Sequence, residues 1–326
     1  MKWLGLLALS ALASAWMTGL LRGYAVRAGI IDRPNARSSH SNPTPRGGGL
    51  AIVAISLVGI AVLYGLRMVP LGLFMALMGG GLSVALVGFL DDRRPVSARI
   101  RFAVHLAAAI WALAWLGGFP LGNVLGVLGI VWVLNLFNFM DGIDGIAASE
   151  AIFVCCSAAT LGVLAGATSA VPAVAAVIAA TSCGFLLWNW PPAKIFMGDV
   201  GSGYLGYAIG VLAVAAGHES PTGMWVWLTL GGVFFVDATV TLVRRLIRGE
   251  RVYEAHRSHA YQWMARTWGS HGRVTLTVTV LNIVWLLPWA LLATLYREYA
   301  LIATGAALIP LVALALAAGA GRAEAK

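Results

Sequence analysis

Along most of this chain apolar residues run for about twenty positions at a stretch with hardly a charge, which is the length a helix needs to cross a bilayer core. Such runs lie at approximately 3–21, 47–66, 70–90, 102–118, 121–140, 146–166, 170–188, 201–217, 223–243, 274–295 and 299–318. The reading is an all-α polytopic membrane protein with about eleven transmembrane helices. Composition excludes the alternative of one large soluble core: the chain is 60% hydrophobic and only 11% charged, where soluble domains carry roughly 25% charged residues. Residues 1–326 read as a single integral-membrane domain, without a separate soluble module or an internal repeat.

The charges between the runs set an orientation. With the N-terminus outside, the cytoplasmic segments are about 22–46, 91–101, 141–145, 189–200, 244–273 and the C-terminal tail. These hold 19 of the 22 Lys and Arg, leaving only Lys2, Arg67 and Arg297 outside. That asymmetry is the positive-inside signature, and it turns the net charge of +9 toward anionic lipid and anionic substrates. Nucleic acid is not an expected partner, because no soluble basic module exists. Lys2 followed by an apolar stretch and Ala13-Ser14-Ala15 has the look of a cleavable signal peptide. The run continues to Leu21, however, and Arg22 and Arg27 follow it, so it is read as the first span. Cys155, Cys156 and Cys183 lie inside apolar runs without metal or disulfide spacing and read as small core residues.

Acids are scarce, so their positions inform. Of 13 Asp and Glu, only Glu219 and Glu298 fall on the outer side, which places the chemistry at the inner boundary. A transporter, the main alternative function, would more often carry ionisable groups at mid-bilayer. Five groups of polar residues stand out. Asp91-Asp92 follows the third run, where adjacent acids oppose the helix dipole and need a metal or Arg93, Arg94, Arg99 or Arg101 to offset them; an isolated pair of this kind also occurs in plain solvated turns. In Asn135-Leu-Phe-Asn138-Phe-Met-Asp141-Gly142-Ile-Asp144-Gly145, the first three polar residues are spaced by three and share a helix face. Their oxygens are the hard donors Mg²⁺ takes, usually together with substrate phosphates. Lys194–Gly203 contains Gly198-Asp199-Val-Gly201-Ser202, where a helix N-terminus can offer N–H groups to phosphate; an ordinary Gly-rich turn reads the same way. The segment 244–273 carries seven arginines together with His256 and His259; it suits either an anionic ligand or simple anchoring. Thr44 and Arg46 lie in the Pro- and Gly-rich stretch 32–49 and are candidates for phosphate binding. Asp237, late in its run, reads as structural and paired with an arginine.

In this order, Asp91-Asp92, Asn135–Gly145 and Phe196–Gly203 resemble the polyprenyl-phosphate N-acetylhexosamine-1-phosphate transferases, the superfamily of MraY, WecA and WbpL. The likeness runs from about Ile31 to Tyr261, and Asp32–Gly49 with His256-Arg-Ser-His-Ala-Tyr-Gln262 look closest to the WbpL-like enzymes of O-antigen initiation. The resemblance implies a bacterial inner-membrane enzyme with a cytoplasmic site. It would transfer an N-acetylhexosamine-1-phosphate from a UDP-sugar to undecaprenyl phosphate, releasing UMP. Asp199 and Asn138 would hold Mg²⁺, or Mn²⁺ in its place. Asp144 would contact the uridine, beside Asp141. Asp91 and Asp92 would lie at the acceptor phosphate, one of them as base, with Arg101 where relatives carry a basic phosphate-binding residue. Thr44, Arg46, His256, Arg257 and His259 would contact the donor. Arg257 and Ser258 separate the two histidines; the triple-His form of the peptidoglycan enzyme is absent, which argues against a MurNAc-pentapeptide donor. Self-association as a homodimer stays open, as does the sugar. A CDP-alcohol phosphotransferase is a further enzyme class, but its DGxxAR-type motif is missing.

Overall fold

A computed structural model describes residues 2–34, 42–118, 122–167, 170–220, 223–250 and 256–323. Arg37, His40 and Arg251, which belong to two of the basic segments, lie outside the described residues. Among those described, nine helices are long and apolar enough to cross a membrane. A bent pair and one shorter apolar helix, Gly49–Gly65, account for the other two runs. In chain order the helices are α1 (Lys2–Arg27), α2 (Gly49–Gly65), α3 (Leu71–Arg93), α4 (Ala98–Leu116), α5 (Asn123–Met140), α6 (Ile146–Leu164), α7 (Ala170–Asn189) and α8 (Asp199–Glu219). They continue as α9 (Gly223–Leu230), α10 (Gly232–Ile247), α11 (Ala260–Trp268), α12 (His271–Leu295) and α13 (Arg297–Ala317). The only strands among the described residues, β1 (Ile31–Asp32) and β2 (Thr44–Pro45), pair antiparallel with Asp32 opposite Thr44.

Two differences from the expectation concern the last third. The run expected to cross as one helix over 223–243 is broken: α9 and α10 meet at 72°, where the adjacent Gly231 and Gly232 give the backbone room to bend. The expected loop 244–273 is partly helical, since α10 extends to Ile247 and α11 fills Ala260–Trp268.

The outer surface is greasy for a physical reason. Leu12, Trp16, Val124 and Ile247 are each more than two-thirds exposed, a cost in water that vanishes in lipid. Helix α8 is the opposite case, 89% buried over its span, and it is the axis of the bundle. Small residues let neighbouring backbones approach it, as membrane helix packing requires when both solvents are apolar. A Cβ on Gly49 of α2 would stand 2.4 Å from the Gly201 Cα of α8, and one on Gly206 would stand 2.7 Å from the Leu134 Cα of α5. Buried hydroxyls on α8 find partners inside the protein. Tyr207 Oη donates to the Ala76 carbonyl at 2.7 Å, in a π-turn of α3, and Tyr204 Oη pairs with Ser56 Oγ at 2.8 Å. The axis thereby holds one end of α8, Asp199, against the ends of α3, α4 and α5.

Candidate functional site

At this end of the bundle the distant polar groups converge. Arg46, just before α2, forks between two helices: Nε lies 2.8 Å from Asp92 Oδ1 and Nη2 3.0 Å from Asp199 Oδ1. From the other side Arg101 Nη1 reaches Asp91 Oδ2 at 2.6 Å and Asp199 Oδ2 at 3.0 Å. The result is a chain of alternating charge, Asp92–Arg46–Asp199–Arg101–Asp91, with Asp199 at its middle. The sequence reading looked to Arg93, Arg94 and Arg99 as well as Arg101 to offset the Asp91-Asp92 pair. Of these only Arg101 does so; the other guanidinium comes from Arg46. Arg93 instead lies over the Phe89 ring and reaches Tyr24 Oη at 3.4 Å. Burial alone would lower the pKa of Arg46, but Asp92 and Asp199, with Asp32 and Asp91 behind them, outweigh it and raise it.

Asp92 does a second task. Its two carboxylate oxygens accept from Asp199 N at 2.9 Å and Val200 N at 3.1 Å, so it caps α8 from another helix. This corrects the expectation that the N-terminus of α8 is free to hold phosphate. Its first two N–H groups are taken by Asp92, and the next two, on Gly201 and Ser202, bond to the Gly198 carbonyl at 3.0 and 3.1 Å. The capping also explains Gly198, whose φ of +78° suits glycine and whose Cβ would stand 2.5 Å from Asp92 Oδ2.

Two cavities meet on this frame. The smaller, about 210 Å³, is polar and is lined by Asp32, Arg46, Asn138, Asp141, Asp144, Asp199, Gln262 and His271. The larger, about 880 Å³, is mostly apolar and carries Arg99, Arg101, His105, Asn135, Phe102 and Phe139. Asn138 and Asp199 line both; they are the wall between them. Asn138 Nδ2 donates to Ser202 Oγ at 3.2 Å, which turns its carbonyl oxygen away from that bond. Asp141 sits just past the end of α5, its carboxyl pKa pushed well above the usual range by burial first and by Asp199 next, with Arg46 acting the other way.

A third cavity of about 600 Å³ opens beside the polar one, sharing Asp144, Phe196 and His271 with it and adding Thr44. Asp144 is held rigidly: Oδ2 accepts from Ala193 N at 3.0 Å, Oδ1 lies 3.2 Å from His271 Nδ1, and its carbonyl accepts from Thr275 Oγ1 at 2.9 Å. Thr44 Oγ1 donates to the Asn42 carbonyl at 3.1 Å.

His256, His259 and the arginines at the start of the 244–273 segment are placed differently, whereas Arg266 and His271 line the third cavity. His256, Arg257 and His259 are not among the residues lining these three cavities. The two histidines form a layer behind: His259 is buried at the start of α11, its ring 4.9 Å from that of His256 and 6.4 Å from that of Phe139. Arg244 and Arg248 donate to the carbonyls of Ala320 and Gly321, and Arg245 and Arg248 pair with Glu250, both at 2.7 Å. Arg244 and Arg248 thus staple the C-terminal tail, and Arg245 is held by Glu250. Asp237 is structural as expected, but its partners are not arginines. It accepts from Ala260 N at 2.8 Å and Tyr261 N at 3.1 Å and so caps α11. Asp237→Ala is therefore expected to lower stability by about 2 kcal/mol, read as a lower thermal midpoint in detergent; an unchanged midpoint would show the cap to be dispensable.

Sequence comparison adds an independent view. Residues 74–217 match glycosyl transferase family 4, a segment that contains Asp91, Asp92, Arg101, Asn138 and Asp199. The chain is similar to a probable undecaprenyl-phosphate N-acetylglucosaminyl 1-phosphate transferase of Bacillus subtilis, 27% identical over 82% of this chain and 78% of that protein. It is also similar to an undecaprenyl-phosphate alpha-N-acetylglucosaminyl 1-phosphate transferase of Thermotoga maritima, 28% identical over 82% of this chain and 84% of the other. A phospho-N-acetylmuramoyl-pentapeptide-transferase of Synechococcus elongatus is 30% identical over 72% of this chain and 70% of its own.

The chain belongs to glycosyl transferase family 4.

Several cavity-lining residues of this family 4 protein escaped the sequence reading as site candidates, among them Asp32, Asn189, Gln262 and His271 in the polar cavity and His105 in the apolar one. His271 left a signal. It opens the apolar span α12 behind the capping Ser270, at the same end of the bundle as Asp144, and the rule that singled out acids at span ends applies equally to a histidine there. Among the described residues, no three or more His, Cys, Asp or Glu side chains come close enough to hold a metal between them. The oxygen donors that line the polar cavity include the carboxylates of Asp199 and Asp141 and the amide of Asn138. They are hard oxygens, and a small number of them suits a Mg²⁺ that completes its shell with water and substrate phosphates.

Proposed function

We propose that this protein transfers an N-acetylhexosamine-1-phosphate from a UDP-linked donor to undecaprenyl phosphate at the cytoplasmic face of a bacterial inner membrane. The products are UMP and a lipid-linked sugar pyrophosphate, the starting unit of O-antigen or a related envelope polysaccharide. The observation that carries this reading is the pair of cavities with a common wall at Asn138 and Asp199. A polar cavity suits a water-soluble anionic donor. A larger apolar cavity with two arginines suits a lipid whose only charge is its phosphate. Two anions brought to opposite faces of one wall need their repulsion offset where they meet, and Arg46 and Arg101 already converge there on Asp199.

In the reaction an oxygen of the acceptor phosphate attacks the sugar-linked phosphorus of the donor, and the bond to UMP breaks. Phosphoryl transfer of this kind depends on positioning and charge neutralisation. Arg101 draws the acceptor phosphate to the wall; Arg46 faces the polar cavity and draws the donor pyrophosphate. The acceptor phosphate is largely dianionic at neutral pH, since its second pKa is about 6, so Asp91 and Asp92 need not remove a proton. Their carboxylates instead fix Arg101, Arg46 and the start of α8. Asp144, immobilised by Ala193 and His271 and lining both the polar and the third cavity, would contact the nucleoside. Mg²⁺ held by Asp199 and Asn138 would neutralise the pyrophosphate and the charge growing on the leaving UMP.

The test is an assay of protein in membranes or detergent with undecaprenyl phosphate, Mg²⁺ and a panel of UDP-N-acetylhexosamines including GlcNAc, QuiNAc and FucNAc. UMP release must coincide with a lipid product for one of them. Chelation with EDTA is expected to bring UMP release to background and added Mg²⁺ or Mn²⁺ to restore it. Transfer that persists in EDTA would rule out the divalent cation.

A further inference from the structure

We propose that His105 is a positioning residue for the acceptor, donating a hydrogen bond from Nε2 to the phosphate of the polyprenyl phosphate. The inference rests on the acceptor reading of the apolar cavity given above. His105 lies on α4 one turn beyond Arg101, so the two side chains share a helix face, and both line that cavity. Phe102 from the same helix and Val84 and Val87 from α3 make the surrounding wall apolar. A histidine among such groups has nothing to gain from an isoprene chain alone. Its Nδ1 is buried and has no hydrogen-bond partner among the described residues. A neutral imidazole carries one N–H and one bare nitrogen. Burying an N–H without an acceptor is costlier than burying a bare lone pair, so the proton belongs on Nε2, the nitrogen at the far end of a ring that faces the cavity. A phosphate drawn to Arg101 comes within a turn of that N–H. Asn135, on helix α5, lines the same cavity, its Nδ2 donating to the Val131 carbonyl at 2.7 Å, so polar groups from two helices border the phosphate's end of the apolar wall.

The experiment measures steady-state kinetics of the full-length protein with a detergent-soluble short-chain polyprenyl phosphate as the varied acceptor. His105→Leu is expected to raise the acceptor KM about tenfold or more, the effect of losing a hydrogen bond to a charged group, with the donor KM unchanged. His105→Gln puts an amide N–H near the position of Nε2 and is expected to restore most of the loss. His105→Asn reaches only as far as Nδ1 and is expected not to. If His105→Leu leaves the acceptor KM unmoved, or if Asn and Gln behave alike, the proposal is overturned; the Gln and Asn pair decides it even if the Leu variant fails to fold. Should the unaltered protein release no UMP with any polyprenyl phosphate, the functional reading falls and this proposal with it. Normal wild-type transfer with an insensitive His105 removes this proposal alone.

Discussion

Asp199→Ala is expected to reduce UMP release by about a thousandfold or more, a loss of roughly 4 kcal/mol of transition-state stabilisation. Among the described residues no other side chain pairs with both arginines of the site: Asp199 takes Arg46 on one carboxylate oxygen and Arg101 on the other. It also faces both cavities. Removing it takes from each guanidinium one of its two carboxylate partners at the meeting point of the two substrates and deletes one of the few hard oxygens available to a cation. The fold should survive, because the start of α8 is capped by Asp92 through the backbone N–H groups of Asp199 and Val200 and not through the Asp199 side chain. Each arginine also stays paired, Arg46 with Asp92 and Arg101 with Asp91. Asp199→Asn keeps the shape, loses the charge, and is expected to be as inactive. Assays of both variants beside their thermal midpoints check this. Residual activity within tenfold of the unaltered protein, in either variant, would reduce Asp199 to a structural role.

Gly88→Ala should cost nearly as much from a residue with no chemistry. Gly88 lies on α3 one turn before Asp92, at its crossing with α8. An added Cβ would stand 2.5 Å from the Asp199 carbonyl oxygen and 2.7 Å from Val200 N. Both are backbone atoms of a buried helix end, so no flexible side chain can yield; the helices must part. A shift of about 1 Å stretches the two bonds from Asp92 and turns Asp199 away from Arg101. Misplacement on that scale costs about a hundredfold in rate, and overpacking lowers stability by about 1–3 kcal/mol. Gly129→Ala is the control, since nothing lies within 4 Å of its added Cβ, and it should leave both rate and midpoint unchanged. Equal behaviour of the two variants would show that the crossing of α3 and α8 does not set the site.

Part of this site can be read from the chain before it is folded. Asp91, Asp92, Asn138, Asp141, Asp144 and Asp199 are visible because polar groups at the ends of long apolar runs are rare and costly, and alternation of the runs puts them at one end of the bundle. Arg101 follows from the same reasoning. His256, Arg257 and His259 show its limit. Local sequence offers them as ligand groups, yet none of them lines the three cavities, and His259 instead stacks on Tyr261, whose Oη donates to the Phe139 carbonyl at 2.9 Å. The seven arginines of 244–273 read as one basic patch, but Arg244, Arg245 and Arg248 turn to the tail and to Glu250.

The sequence by itself determined that the chain is a bundle of membrane helices with its polar groups gathered at one boundary. Hydropathy and charge act residue by residue along the chain, and about twenty apolar residues have one way to satisfy their backbone in lipid. Only the tertiary structure decided which partner each polar group has. Arg46 rather than Arg93 neutralises Asp92, Asp92 rather than a phosphate takes the N–H groups of α8, Asp237 caps α11, and Asn138 and Asp199 become one wall between two cavities. Those choices depend on how closely α2, α3, α5 and α8 approach at their glycines, a distance between residues far apart in sequence that no local pattern encodes.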